Sequence, residues 1–166
     1  MEQKKNTGAT SVAPSRKSAP TISVNEEILV YNGFDGPLSY ISKRNGATLF
    51  FEAFGDSDYI QFGELQTMRA TQPAFFENNW ILIDDDEVLE ALSATKYYTN
   101  SLRIGEFDSV FDKTAKQIRE IVSKVPTAQK VVLYRMARAK VESGEIDSKQ
   151  KIKALEEAFG VSLTEV

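Results

Sequence analysis

The stretch Trp80-Ile-Leu-Ile-Asp-Asp-Asp-Glu-Val-Leu-Glu-Ala-Leu92 decides how the chain divides, because an apolar run passes there into helical spacing across three aspartates and a glutamate. Before the acids, Trp80 to Ile83 read as a strand able to complete a sheet. After them, Val88, Ala91, Leu92 and Thr95 share one helical face, with Leu89 beside it. A helix that starts here leaves its first amides without intrahelical partners, and a carboxylate at its head satisfies one while complementing the dipole. Asp84 with Glu87 has the spacing of a capping box, Asp standing for the usual Ser or Thr, and Asp85 and Asp86 then serve as first-turn charges. The rival reading is a cation site. A calcium loop needs Gly at its sixth position and Glu at its twelfth; counted from Asp84 these are Leu89 and Thr95, and counted from Asp56 they are Gln61 and Thr67. Both counts fail, so the sequence calls for no metal and no cofactor, with Mg²⁺ held through waters as the alternative.

Upstream lie short apolar runs between turn signals. Glu27 to Asn32 is a strand, and Gly33 to Pro37 a turn in which Gly36 takes positive φ. Leu38 to Ser42 alternates apolar and small polar residues, Lys43 to Gly46 holds the Asn-Gly pair of a tight hairpin turn, and Ala47 to Phe54 returns as the partner strand. Tyr59 to Phe62 adds a short strand, so three or four strands form a small meander. Leu65 and Met68 then mark a brief helix over Gly63 to Thr71, and Gln72 to Asn79 is a loop or helical turn displaying Phe75 and Phe76.

Downstream the chain is helical. Phe107, Val110 and Phe111 form a triplet after Gly105; Ile118, Ile121, Val122 and Val125 line the next helix, stopped by Pro126. Thr127 caps a helix whose Val132, Met136 and Ala139 face one way and which Gly144 ends. Asp147 with Gln150 is a further capping box, for a helix lined by Ile152, Leu155 and Phe159 and closed by Gly160. The fold class is therefore α+β: a small antiparallel β-meander unit with a short helix (25–84), followed by a C-terminal helical bundle (85–166).

Residues 1–24 are rich in Ser, Thr, Ala, Pro and Gly and are expected to form a flexible, extended basic arm. Lys4, Lys5, Arg16 and Lys17 against Glu2 give it a net charge of +3, and the remaining 142 residues carry 16 basic and 23 acidic side chains, a net of −7. One reading is a solvated tail; the other is a tether docking on an acidic surface or on nucleic acid. The 166 residues, 42% apolar, suffice for a core. They include no cysteine and no histidine, which removes disulfides, thiolate nucleophiles, Cys/His zinc sites and Ser-His-Asp triads, so the chain is read as a non-enzyme. No apolar run approaches a bilayer span of ~18 residues, and the first 20 residues lack the apolar core of a secretory signal, which points to the cytoplasm or a particle assembled there.

Two sets of residues are candidates for binding. Lys4, Lys5, Arg16 and Lys17 of the arm, with Phe75, Phe76, Tyr97 and Tyr98 of the body, are candidate partner contacts; burial of the four aromatics in the body's own core is the competing reading. Lys130, Arg135, Arg138 and Lys140, interleaved with Tyr134, are the candidate nucleic-acid surface, against a solvated face balanced by Glu142, Glu145, Glu156 and Glu157. The tail Ala154 to Val166 resembles the closing helix of phage-repressor-type helix-turn-helix domains, without a discernible recognition helix upstream. Over Ile60 to Leu92 and Gly144 to Gly160, the chain resembles small structural proteins of tailed bacteriophages of Gram-positive hosts. That resemblance carries no active-site motif. It implies a virion component of capsid, neck or tail, with other virion proteins or further copies of itself as partners and no membrane.

Overall fold

Strand β1 (Glu27–Asn32) is the axis of the β-region in the computed structural model, which describes residues 21–164. Its alternation turns Ile28, Val30 and Asn32 inward. Antiparallel β4 (Ser57–Gln61) and β5 (Ile81–Leu82) flank it in the order β4-β1-β5, with Ile28 opposite Ile60 and Tyr31 opposite Leu82. The hairpin read from the sequence forms as β2 (Leu38–Ile41) and β3 (Thr48–Phe51), turning through Gly46 at φ +74°. It is a separate two-stranded sheet. The break is made by Asn32, which is fully buried: its amide donates to the carbonyls of Gly36 and Ala53, both at 2.8 Å, and its Oδ1 accepts from Phe34 N at 2.9 Å. One side chain thus fixes the loops leaving β1 and β3. Gly33 follows because a Cβ there would collide with the Asn79 carbonyl and the Leu82 side chain.

Helix α1 (Phe62–Thr71) buries Phe62, Leu65 and Met68, and α2 (Ala74–Glu77) is a single turn carrying Phe75 and Phe76. Ile22 packs on this core and the Val24 carbonyl accepts from Gly63 N at 2.9 Å, so the arm boundary moves back from residue 24. The helix after the acidic run, α3 (Asp86–Ala91), is capped by Asp85 and not by Asp84: Asp85 Oδ1 accepts from Glu87 N at 2.9 Å and Val88 N at 3.2 Å. Arg103 sets this phase by bonding the Asp84 carbonyl at 3.1 Å and the Asp86 carboxylate at 2.7 Å, which leaves Asp85 turned toward the free amides. Beyond it, α4 (Thr95–Tyr98) is one short turn. Val88, Leu89, Leu92 and Ala94 join the core of the β-region, so the expected division at residue 84 does not follow the packing.

Two 3₁₀ turns, Ile104–Glu106 and Asp108–Asp112, lead to α5 (Ala115–Lys124), α6 (Thr127–Glu142) and α7 (Lys149–Phe159). Thr114 and Gln117 cap α5 reciprocally. The other two caps differ from expectation. Thr127 is already inside α6, which starts after Pro126 without a side-chain cap, and α7 is capped by Ser148 Oγ, not Asp147. The buried face of α6 is Gln129, Val132, Leu133 and Ala137; Ala139 is exposed. Gly160 ends α7 in the left-handed region at φ +70°, where its N–H reaches the Glu156 carbonyl. A second core results, built from Phe107, Val110, Phe111, Ile118, Val122, Leu133 and Leu155, and Leu82 belongs to it while Ile81 and Ile83 belong to the first. No helix among the described residues is long and apolar enough to cross a membrane.

Candidate functional site

The residues Asp84 to Asp86 form a ridge between two clefts. On one side a cleft of about 480 Å³ is floored by Leu82, Leu89 and Leu102 and rimmed by Arg103 and Glu106. Tyr98 closes its inner end: the buried hydroxyl donates to the Ile81 carbonyl at 2.8 Å, and desolvation pushes its pKa far above the ordinary phenol range. On the other side lies a groove of about 510 Å³, whose floor is Leu29, Tyr31 and Tyr59 and whose rim carries Glu26, Glu27, Asp84, Asp85 and Asp86. Tyr59 is 61% exposed there. Of these five carboxylates, Asp86 alone is in an ion pair among the described residues, with Arg103 at 2.7 Å. The groove therefore presents an apolar, partly aromatic floor under concentrated negative charge. Among the described residues no three acidic side chains are grouped so as to hold a metal ion.

The predicted contact residues separate on inspection. Lys4, Lys5, Arg16 and Lys17 lie outside the described residues. Phe75 and Phe76 are core residues and not surface anchors: Phe76 is fully buried, and Phe75 stands edge-on to Tyr40 at 5.5 Å and Trp80 at 5.6 Å. Tyr98 is likewise an internal post, packed on both cores. Tyr97 is partly exposed. Its ring lies between Arg69 at 5.3 Å and Lys96 at 4.7 Å, and its hydroxyl donates to Glu77 at 3.1 Å. The ring also accounts for Arg69, whose buried Nε has no hydrogen-bond partner among the described residues.

The basic set on α6 is largely neutralised by neighbours. Arg135 pairs with Asp35 at 3.1 Å, Arg138 with Glu142 at 2.7 Å, and Lys140 with Glu145 at 2.5 Å and Asp108 at 3.4 Å. The bond to Glu145 raises the Lys140 pKa, against partial burial. Lys130 is half-buried at the head of the helix. These four residues do not make an open cationic stripe. No local pattern joins the groove residues Glu26, Glu27 and Tyr59 to the aspartates: the pairing of β1 with β5 brings the glutamates beside them, and the pairing of β1 with β4 adds Tyr59.

No protein-family model, no curated protein and no solved structure matches this chain.

Proposed function

We propose that the protein is a non-enzymatic structural or assembly component of a bacteriophage particle, acting by attachment to other virion proteins after synthesis in the host cytoplasm. The observation that carries this reading is the groove beside β1, where an apolar floor lies under carboxylates that are mostly free of internal cations. Such a surface suits an extended basic peptide, whose stems cover the floor while its charges meet the rim. The sequence supplies a basic segment in residues 1–20, which hold Lys4, Lys5, Arg16 and Lys17. Docked between neighbouring subunits, a segment of this kind gains affinity from avidity as a particle assembles. The resemblance of Ile60 to Leu92 and Gly144 to Gly160 to phage structural proteins supplies the setting.

The test is incorporation into particles. Reversing Lys4, Lys5, Arg16 and Lys17 to Glu is expected to leave the fold intact and abolish co-purification with virions, and reversing Glu26, Glu27 and Asp84 to Lys in the same chain to restore it. Normal incorporation of the arm-reversed chain refutes the docking role. The nucleic-acid reading, in which Lys130, Arg135, Arg138 and Lys140 hold phosphates, is checked by filter binding at two salt concentrations: salt-sensitive retention lost on Arg135→Ala and Arg138→Ala would replace the attachment reading.

A further inference from the structure

A strand at the rim of a sheet offers unpaired N–H and C=O groups to any incoming strand, and folded chains usually block it. On three rims here a side chain holds an outward backbone group. On β5 the outward carbonyl of Ile81 accepts from the Tyr98 hydroxyl at 2.8 Å. On β4 the outward N–H of Tyr59 is held by Asp58 Oδ1 at 2.8 Å, and on β2 the outward carbonyl of Ile41 accepts from Gln72 Nε2 at 2.9 Å. The fourth rim is bare. The bond from Ser42 N to the Ala47 carbonyl fixes the phase of the hairpin, so Leu49 and Phe51 direct their backbone groups to β2, and Thr48 and Phe50 direct theirs away from it. Among the described residues nothing bonds to those outward groups.

The sequence of this rim is as open as its hydrogen bonding. Thr48-Leu-Phe-Phe51 has high strand propensity and no charge, proline or glycine to deter pairing. On its solvent face Phe50 is 58% exposed, and on the adjoining strand Ile41, diagonal to it, is 55% exposed. The next charged residue along the rim, Glu52, is turned aside, its N–H held by Asp56 Oδ2 at 2.8 Å.

We propose that β3 is a self-association edge whose occupant is β3 of a second copy of this chain, added antiparallel about a two-fold axis at Leu49. In this register both outward residues of each strand meet outward residues of the other, as direct pairing of residues that point their backbone bonds at each other requires. Thr48 of each copy then lies opposite Phe50 of the other, which satisfies every outward group of β3 and creates two cross-strand aromatic/β-branched pairs of the favourable kind. Ile41 and Phe50 of both copies form one apolar strip, and Glu52 meets Gly46 of the second copy, so no like charges oppose each other. The arrangement is isologous, as a closed dimer requires. It uses neither the acidic groove nor residues 1–20, and the failure of either idea leaves the other standing.

Sedimentation equilibrium on the full chain tests it. A reversible dimer is expected, weakened about tenfold or more by Phe50→Lys, which sets two cations across the axis, and by Thr48→Pro, which deletes an outward N–H. Val131→Lys, at an exposed apolar residue on α6, should leave the dimer unchanged. Because the chain has no native cysteine, Phe50→Cys can carry a single spin label, and the labels of two copies should broaden each other's spectra. A chain that stays monomeric up to roughly millimolar concentration overturns the proposal. So does a dimer indifferent to both β3 variants, with no broadening at residue 50.

Discussion

The two cores of this protein are held by different means. In the first, polar side chains reach into the interior and tie loops together: Asn32 joins the segments after β1 and β3, and Asn79, at a left-handed φ of 53°, bonds the Tyr97 carbonyl at 3.0 Å. Glu64 anchors Tyr40 at 2.6 Å and Arg44 at 2.9 Å. In the second, apolar faces of α5, α6 and α7 meet, and charges remain outside in pairs such as Arg119 with Glu157 at 2.8 Å. Among the described residues its fully buried polar side chain, Gln129, bonds the Leu102 backbone at 2.7 and 3.0 Å and Ser101 at 2.7 Å, where the linking segment enters. Helices satisfy their own backbones, whereas short strands joined by irregular loops need side chains to do so. Buried polar residues therefore mark where this chain changes direction.

The largest effect should come from the residue that joins the two systems. Leu82→Ala leaves a cavity in the helical core from within a strand of the β-region and is expected to cost about 2–5 kcal/mol. Denaturation followed by Trp80 fluorescence and by helical circular dichroism should move together; separate midpoints would show two independent units. Asn32→Ala strips partners from three backbone groups and should cost roughly 2–3 kcal/mol, with lost hydrogen-exchange protection confined to the β-region; spread into α5–α7 would blur the contrast. Asp85→Ala should cost ~1 kcal/mol as the loss of a helix cap, and Asp84→Ala less, measured by urea midpoints; the reverse order would reinstate Asp84 as the cap. The smallest effect is one of pH. Burial pushes Glu64 up, but bonds from Tyr40, Ser42 and Arg44 outweigh it and hold the carboxyl below its ordinary value, while burial and the Glu64 bond push Tyr40 up to about 12. A carboxyl lowered on folding stabilises above its unfolded pKa, and that contribution is lost as pH falls through the folded value. The stability gap between the native chain and Glu64→Gln should therefore be present at neutral pH and close on acidification.

The elements were largely legible and their assembly was not. Alternation in Ile28, Val30 and Asn32, the Asn-Gly turn and the spacing of Ile118, Val122 and Val125 each carry a local period that the chain obeys. The cap moved from Asp84 to Asp85 because three adjacent aspartates are chemically equivalent, and the choice was made by Arg103 from beyond α4. Phe75 and Phe76 lie on one short turn, and nothing local shows that Tyr40 and Trp80 will close over Phe75. The groove at β1 is a product of strand order, which no single segment encodes.

The alternation along β5, near the centre of the chain, ties the register of one short strand to both interiors. Ile81 and Ile83 face one interior and Leu82 the other, so a one-residue slip of β5 against β1 would turn Leu82 into the first core and an isoleucine into the second, misfitting both. A slip in a half-exposed strand disturbs one core; here it disturbs two. The pairing of Leu82 with Tyr31 thus fixes the fit of both halves at once.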